Sequence, residues 1–329
     1  MTGNIWGVFV LKVLLDSWPE GQGRAMQRIL VIKHGALGDI IQAIDAFESL
    51  RLSFPKAHIT LLTAQVFAPL LTASGWFDEV VSDPRKPVWH LSQNLRLMRL
   101  FSQPFEAILD LQCSSRTATY FKLMRPKGRW FGTVAGCSDL MPDFTGVNNR
   151  ERMITAVKMV GAKPHTGKLD FLATANADIM PNLPADYCVF VAGSSKAKPS
   201  KRWPAKRFAD IAARCLEAGI TPLLCGTAED KAANATIKAA CSGVIDLTAQ
   251  TSLSQLASLM RGAQFILGND TGPVFLGART NVPTFMLMGA DTDPSMSAPI
   301  GDRADFIYAP QLEKLSASEV WEKLEKMRG

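Results

Sequence analysis

Short apolar runs alternate with amphipathic stretches along most of the chain, beginning at residue 26. Four apolar runs in the first half predict strands: RILVIK (28–33), HITLLT (58–63), EVVS (79–82) and EAILDL (106–111). Helical spacing of apolar residues follows Asp39 in DIIQAIDAFESLRLSF and Trp89 in WHLSQNLRLMRLF, and it returns over 149–162. This repeated strand–helix order predicts a parallel sheet with right-handed crossovers.

The same alternation restarts in the second half of the chain. Its predicted strands are YCVFVAG (187–193), ITPLLCG (220–226), VIDLT (244–248), AQFILGN (263–269) and VPTFMLMG (282–289). A Pro-, Ala- and Asn-rich stretch at 173–186 separates the two sets and is the best linker candidate. The fold class is therefore α/β, with doubly wound domains at 26–180 and 181–329, and ligands are expected at the loops that follow the strands.

Residues 1–25 precede the first strand and are interpreted as an appendage. Their apolar stretch, IWGVFVLKVLL, is interrupted by Lys12 and is shorter than the roughly 18 to 20 residues of a membrane span. It also lacks the basic region of a signal peptide. Two interpretations stay open, a peripheral helix and an upstream extension of the true start.

Composition, net charge and cysteine spacing indicate the class of the protein and its compartment. A hydrophobic content of 47% and a charged content of 20% are typical of a soluble globular protein with a full core. The net charge of +6 suits an anionic substrate or a membrane surface. The six cysteines form no CxxC pair and no metal-binding spacing with the four histidines, so reduced thiols in a cytosolic protein are expected.

The loop KHGALGD (33–39) follows the first predicted strand and is a candidate site. It lacks the GxGxxG spacing, and the second strand ends in Thr63 rather than an acid, which disfavours a dinucleotide-binding fold. Asp39 falls in the first turn of the next helix. It either complements the helix dipole or acts as a general base. His34 lies near Asp39 in the sequence, and a single histidine more often has a structural role than a catalytic one.

The loop AGSSKAKPSKRWP (192–204) follows the first strand of the second half. It combines hydroxyls, cations and a strand-to-helix position, which are the features of a phosphate-binding loop. Ser194, Ser195 and Lys201 are the candidate phosphate contacts, and a solvated basic loop is the alternative. In CGTAEDKAA (225–233), Glu229 and Asp230 either contact a ribose or start a helix.

Three further stretches carry polar residues of the types that bind ligands or take part in catalysis. GNDTGPVF (268–275) places Asp270, Thr271 and Gly272 after a buried strand, and MGADTDPS (288–295) contains a D-T-D triplet like a metal-binding DxD, a pattern that often arises by chance. The segment 114–130 is basic and contains Arg116 and Lys122. It suits a phosphorylated or carboxylated substrate or a solvated face, and it lacks a nucleic-acid-binding module.

These motifs, in their order and spacing, resemble glycosyltransferase family 9, the heptosyltransferases of lipopolysaccharide core assembly. The resemblance covers about residues 27–310 and rests on RILVIKHGALGD, DLQ, GSSKAKPSKRWPAKRFA, SLSQLASLMRGAQFILGNDTGPVFLGA and MGADTDP. It implies a GT-B architecture, with two Rossmann-like domains facing a cleft. The acceptor then belongs to residues 26–180 and the nucleotide-sugar to residues 181–329.

The resemblance also implies roles for individual residues. Asp39 matches the catalytic aspartate, and Lys201 matches the lysine that meets the donor phosphates. Asp230, or Glu229 one position away, falls near the acidic ribose contact. The D-[ST]-G loop at the donor pyrophosphate corresponds to Asp270, Thr271 and Gly272, and the acceptor-side candidates are His34, Arg116 and Lys122.

The implied activity is an inverting transfer of heptose from an ADP-sugar to an anionic glycolipid acceptor, with no metal or other cofactor. The enzyme is expected in the cytoplasm, with peripheral contact to the inner membrane and no nucleic-acid partner. One residue departs from the family pattern D-[ST]-G-x-x-H: Phe275 stands where the histidine is usual. Another nucleotide-sugar donor and a non-catalytic, sugar-nucleotide- or glycan-binding relative therefore stay as alternatives, and a dinucleotide-dependent oxidoreductase is a distant third.

Overall fold

The structure, a computed structural model, describes residues 26–83, 85–86, 90–172, 183–195 and 198–328. The expected appendage at 1–25 and residues 173–182 of the expected linker lie outside the described residues. The described chain divides into two compact units. The first contains the residues up to Gly35, Ala43–Asp143 and Glu151–Gly167, and the second contains Ala36–Gln42, Phe144–Arg150 and the described residues from Lys168 onward.

The first unit is built on a parallel sheet of six described strands. They are β1 (Arg28–Ile32), β2 (His58–Ala64), β3 (Glu79–Asp83), β4 (Ala107–Asp110), β5 (Arg129–Gly132) and β6 (Asp139–Leu140). Their order across the sheet is β3-β2-β1-β4-β5-β6. This is the doubly wound order 3-2-1-4-5-6, in which the chain reverses direction across the sheet between β1 and β4.

Helices follow the strands in the first half of the chain. They are α1 (Leu37–Gln42), α2 (Ile44–Ser53), α3 (Ala68–Thr72), α4 (Leu91–Phe101), α5 (Ser115–Met124) and α6 (Asn149–Met159). Of these, α1 and the first two residues of α6 cluster with the second unit. A capping box between Ser114 and Thr117 starts α5. Leu97, Leu100 and Tyr120 join the sheet residues in one core, so α4 and α5 cover the same face.

The second unit repeats the same sheet topology. Its described strands are β7 (Tyr187–Val191), β8 (Thr221–Leu224), β9 (Ile245–Asp246), β10 (Ile266–Asn269), β11 (Thr284–Met288) and β12 (Ala304–Tyr308). They are parallel neighbours in the order β12-β11-β10-β7-β8-β9. The point of reversal lies between β7 and β10, so the loops that follow these two strands meet at the carboxyl edge.

The helices that follow are mostly amphipathic. They are α7 (Ala205–Glu217), α8 (Lys231–Ala240), α9 (Leu253–Gly262), α10 (Gly272–Ala278), α11 (Pro294–Ser297) and α12 (Ala317–Arg328). In α7 the buried residues include Phe208, Ile211, Ala212 and Cys215, with spacings of three and four that place them on one face. Among the described helices, each is too short or too polar to cross a bilayer.

The two doubly wound sheets confirm the α/β fold class, and each predicted strand corresponds to an observed one. Three strands were not predicted. β5 is short and lies within a basic stretch, β6 has two residues, and the edge strand β12 is only partly buried. The single helix expected after Asp39 is instead α1 and α2, separated at Ala43. The predicted boundary at 180/181 stays a prediction.

Candidate active site

The candidate site lies at the carboxyl edge of the second sheet. The loops after β7, β8, β10 and β11 supply its polar side chains. Because parallel strands end at the same edge, residues far apart in the sequence come together there. The clearest example joins the loop after β7 to the loop after β10.

Asp270 is the centre of this connection. Its Oδ2 lies 2.6 Å from Lys201 Nζ, and the two side chains are 6% and 14% exposed. Thr292, from the loop after β11, also donates its hydroxyl to Asp270 Oδ2. A carboxylate that accepts two such bonds holds the ammonium group in a fixed position. The structure therefore presents Lys201 as a largely buried cation whose ammonium group is oriented by Asp270.

Asn269, the last residue of β10, fixes the backbone of the loop after β7. Its Oδ1 accepts a hydrogen bond from Trp203 N at 3.0 Å, and its Nδ2 donates to Ala192 O at 2.7 Å. The Trp203 indole is buried and donates to Leu315 O at 3.0 Å. The loop thus begins and ends on fixed anchors, which limits the positions that Lys201 can take.

The hydroxyl of Ser194 is buried in this loop and makes no hydrogen bond to any residue that the structure describes. The Nε of Arg202 is buried and has no partner in the described part of the chain, while a terminal nitrogen of Arg202 donates to Ser194 O. A buried hydroxyl without a partner is unfavourable by about 1–3 kcal/mol. Such a group is suited to bind a ligand oxygen. Ser195, the next residue, is exposed.

The two acids after β8 have different environments. Asp230 is buried, and its Oδ2 accepts hydrogen bonds from Thr227 N at 2.8 Å and Thr227 Oγ1 at 3.0 Å. A Cβ built on Gly193 would lie 2.0 Å from Asp230 Oδ1, so this carboxylate packs directly on the glycine. Asp230 therefore closes the turn, whereas Glu229 is exposed at the same strand end.

Asp39 lies in α1 and is half-buried. Its Oδ2 accepts a hydrogen bond from Ala36 N at 3.0 Å, which caps the start of the helix. Its Oδ1 accepts one from Asn149 Nδ2 at 3.2 Å. Both oxygens are thus oriented, and each keeps a further lone pair for a substrate proton.

Helix α1 packs closely on α10, the helix that begins in the Asp270 loop. A Cβ on Gly272 would lie 2.7 Å from Leu37 Cβ, and a Cβ on Gly38 would lie 2.9 Å from Phe275 Cδ2. Glycine at both positions therefore permits the close approach. Phe275 is buried, with its ring against Gly38. The residue at the position of the family histidine thus packs against the helix that carries Asp39.

The carboxyl edge of the first sheet carries a different polar cluster. His34 Nε2 lies 3.0 Å from Asp83 Oδ2, and the Tyr120 hydroxyl donates to the same oxygen. Burial works to raise the pKa of Asp83, but the contacts from His34 and Tyr120 outweigh it and lower that pKa. Burial also raises the pKa of the Tyr120 hydroxyl, which stays a neutral donor. The three side chains thus contact one another.

Lys33 and Asp110 complete this buried edge. Lys33 is 1% exposed and donates from Nζ to Leu111 O at 3.2 Å. Asp110 accepts hydrogen bonds from Gln112 N at 3.1 Å and Cys113 N at 2.8 Å. Burial raises the pKa of Asp110 in spite of these bonds. Both groups stabilise the local backbone.

The three acceptor-side candidates do not form one site. His34 belongs to the buried cluster. Arg116 donates to Arg85 O at 2.8 Å and to Tyr120 Oη at 3.1 Å, so its guanidinium stabilises the loop after β3. Lys122 is exposed on α5. Acceptor contacts by these residues stay predictions.

The D-T-D triplet has structural roles in this unit. Asp291 accepts a hydrogen bond from the Ser200 hydroxyl, and Asp293 caps α11 by accepting one from Ser295 N at 2.9 Å. Thr292 contributes its hydroxyl to Asp270. Among the residues that the structure describes, no group of three or more His, Cys, Asp or Glu side chains is arranged to hold a metal ion.

Sequence reasoning missed Thr292, Asn149, Asn269 and the buried Lys33. Asn269 and Lys33 are each the last residue of a predicted strand. In such sheets ligands bind at the strand ends, so this position indicates a functional residue. Asn149 and Thr292 contact Asp39 and Asp270 over sequence separations of 110 and 22 residues. Only the folded arrangement reveals these pairs.

Comparison with known proteins shows what the chain is similar to. The chain is 22% identical over 308 residues to lipooligosaccharide heptosyltransferase 2 of Haemophilus ducreyi, covering 85% of this chain and 88% of that protein. The structure of E. coli heptosyltransferase WaaC with ADP matches with a TM-score of 0.76 at 19% identity, over 92% of this chain and 100% of the other.

A more distant match is the iron-containing dodecameric glycosyltransferase TibC of enterotoxigenic E. coli. It has a TM-score of 0.55 at 15% identity and covers 92% of this chain and 76% of its own. The family model for glycosyltransferase family 9 (heptosyltransferase) matches residues 150–327. Since that match covers more than half of the chain, the protein belongs to glycosyltransferase family 9 and is a heptosyltransferase-like glycosyltransferase.

Proposed function

We propose that this enzyme transfers a heptose, with inversion and without a metal ion, from an ADP-sugar to a lipopolysaccharide core acceptor. The observation that carries the proposal is the Lys201 ammonium held 2.6 Å from Asp270 at the carboxyl edge of the second sheet. Family membership supports the reaction type, and the ADP in the WaaC structure supports the nucleotide.

The donor diphosphate lies against the loops after β7 and β10. Lys201 supplies the positive charge, and the unpartnered Ser194 hydroxyl donates to a phosphate oxygen. Ser195 and Thr271 are exposed or half-buried hydroxyls on the same two loops, and Gly272 lets α1 approach the second loop. Glu229, rather than the buried Asp230, accepts hydrogen bonds from the ribose.

Asp270 acts on the donor through Lys201. A carboxylate repels a diphosphate, so direct contact between the two is unfavourable. By accepting from Lys201 and Thr292, Asp270 instead orients the cation toward the departing group. Such fixed charges stabilise a transition state because they need no reorganisation during the reaction.

Asp39 acts as the general base. It takes the proton of an acceptor hydroxyl while that oxygen forms a bond to the anomeric carbon. The bond from the anomeric carbon to ADP breaks on the opposite face, and ADP leaves with the electron pair, so the configuration inverts. Lys201 offsets the charge that builds on ADP, and Ser194 stabilises it by donating a hydrogen bond, so that these groups take the role that a metal ion has in other glycosyltransferases.

The acceptor is an anionic glycolipid, and the enzyme works in the cytoplasm in peripheral contact with the inner membrane. The net charge of +6 supports an anionic partner. The six cysteines are free thiols, four of them buried, and this supports a reducing compartment.

The direct test incubates the full chain with ADP-heptose and a heptose-deficient lipopolysaccharide, with EDTA present. We expect the acceptor mass to increase by one heptose and the NMR coupling of the new linkage to show inversion. Retention of configuration, or activity that EDTA abolishes, would refute the corresponding part of the proposal.

A second candidate follows from Phe275, whose buried ring offers the donor no hydrogen bond where the family histidine stands. Transfer from another nucleotide-sugar, or binding without transfer, is consistent with that change. Thermal-shift screening of nucleotide-sugars distinguishes these cases. Stabilisation by a different donor would favour the first, and ADP binding with no product from any donor would favour the second.

A further inference from the structure

Helices α4 and α5 of the first unit leave large apolar side chains exposed. Leu95 and Met98 on α4 are each 53% exposed, and Leu123 on α5 is 63% exposed. The opposite faces of the two helices are buried in one core, which contains Leu97 and Tyr120. The exposed apolar side chains therefore point away from the same face of the sheet.

The cations of these helices accompany the apolar side chains. Arg96 and Arg99 are exposed on α4, next to Leu95 and Met98, and Lys122 is exposed beside Leu123. Neither helix contains an aspartate or glutamate in its sequence. Exposed apolar groups ringed by charges of one sign are typical of an interaction surface for an anionic, partly apolar partner.

A cavity of about 290 Å³ opens beside α4 and adds polar groups to this surface. Arg96 and Ser92 line it from the helix, and Lys86 and Ser82 line it from the end of β3. Two cations and two hydroxyls suit a phosphate group. The surface thus combines exposed apolar side chains with a cavity lined by cations and hydroxyls.

We propose that the face formed by Leu95, Met98, Leu123, Arg96, Arg99 and Lys122 docks the enzyme on an anionic phospholipid bilayer. The charge complementarity selects this partner, because a second copy of the chain would place like charges opposite each other. The proposal identifies the surface that makes the peripheral membrane contact proposed above. It rests on α4 and α5 alone and does not depend on the chemistry of sugar transfer.

The test is flotation of the full chain with vesicles of phosphatidylcholine alone and of phosphatidylcholine with phosphatidylglycerol. Wild-type protein is expected to bind the anionic vesicles and to dissociate as salt is raised. Arg96→Glu with Arg99→Glu should lower that binding about tenfold or more, because each cation near an anionic surface contributes to affinity. The matched control is Lys323→Glu with Lys326→Glu, which makes the same charge change at exposed positions of α12. It should change binding less than about twofold.

A second variant, Leu95→Ser with Met98→Ser, tests the apolar component. It should weaken binding several-fold, since less apolar surface enters the bilayer. ADP binding by calorimetry is measured on every variant and should be unchanged. Wild-type protein that prefers neither vesicle, variants that bind like wild type, or a dimer that the Leu95 and Met98 changes dissociate would each overturn the proposal. Loss of ADP binding in wild type would instead refute the proposed function.

Discussion

The two sheets share one strand order, yet acids near the ends of equivalent strands have different partners. Asp110 ends β4, and Asp270 follows the end of β10, the equivalent strand of the second sheet. Asp110 accepts from backbone N–H groups two and three residues away. Asp270 accepts from Lys201, 69 residues away, and from Thr292. The first acid closes its own turn, and the second fixes a cation.

The difference extends to the whole carboxyl edge of each sheet. In the first unit, Asp83 already receives contacts from His34 and Tyr120. In the second unit, the buried Ser194 hydroxyl makes no hydrogen bond within the described residues, and Asp270 holds the Lys201 ammonium group. The side chains of the first edge contact mainly one another, whereas the second edge presents a buried hydroxyl and an oriented cation to a ligand. Substitutions at the two edges should therefore affect different measurable quantities.

Replacing Asp39 with Asn should give the largest effect on activity. The variant keeps the size of the side chain but cannot accept the acceptor proton, so turnover should fall by about 10²–10⁴-fold. The ADP dissociation constant should stay the same. Initial rates with ADP-heptose and calorimetric ADP titration measure the two quantities. Full activity would remove Asp39 as the base.

Replacing Lys201 with Ala should lower turnover by about 10²–10³-fold, as expected for the loss of one fixed charge at the leaving group. ADP affinity should also fall, which distinguishes this variant from the Asp39 variant. Lys198→Ala is the control, because Lys198 is an exposed cation of the same loop. Equal losses in both lysine variants would mean that only the overall charge of the loop matters.

Replacing Tyr120 with Phe should destabilise the first unit by about 1.5–3 kcal/mol at pH 7, the range for a hydrogen bond to a charged group. The lowered pKa of Asp83 means that its ionised form stabilises the fold above about pH 4, the ordinary range of an Asp, and that this stability is lost as the pH falls. The difference in the free energy of unfolding between the variant and the wild type should therefore become smaller as the pH is lowered. Urea denaturation at pH 7 and at lower pH measures it.

Tyr187→Phe is the matched control for that prediction. Tyr187 donates to Leu259 O, an uncharged acceptor, at 2.8 Å. Loss of this hydrogen bond should lower the free energy of unfolding by about 0.5–1.5 kcal/mol, and the decrease should not depend on pH between 4 and 7. The same pH dependence in both variants would argue against the Asp83 explanation.

Replacing Asn149 with Ala should give the smallest effect, about a tenfold lower turnover, because it removes one neutral donor from the Asp39 carboxylate. The donor KM and the ADP dissociation constant should not change, since the proposal gives Asn149 a contact with the base, Asp39, and none with the nucleotide. An equal rise in KM would indicate a general loss of structure rather than a positioning role.

The sequence predicted the fold well because buried parallel strands form continuous apolar runs, as in YCVFV and RILVI. It also indicated the loops that carry Lys201, Asp270 and Asp39, since these follow strands. It did not indicate that Asp39 shares an environment with Asn149, or that α1 packs on α10 through Gly38. These contacts depend on tertiary packing, which no local pattern encodes.

Asp270 and Phe275 also show that tertiary contacts cannot be predicted from sequence motifs. Sequence motifs assigned Asp270 to the pyrophosphate loop, but only the structure gives it Lys201 and Thr292 as partners. Phe275 was recognised as a departure from the family pattern. Its contact with Gly38 could not be predicted, because the two residues are 237 positions apart in the chain and meet only through helix packing.

Calorimetric titration of ADP into Asp270→Asn and Asp110→Asn tests the central claim most directly. If Asp270 serves to hold Lys201, its neutralisation should weaken ADP binding by about tenfold, or ~1.4 kcal/mol, although it removes a negative charge near a diphosphate. Asp110→Asn should leave the dissociation constant unchanged. ADP binding to Asp270→Asn that is as tight as in wild type, or tighter, would contradict the account.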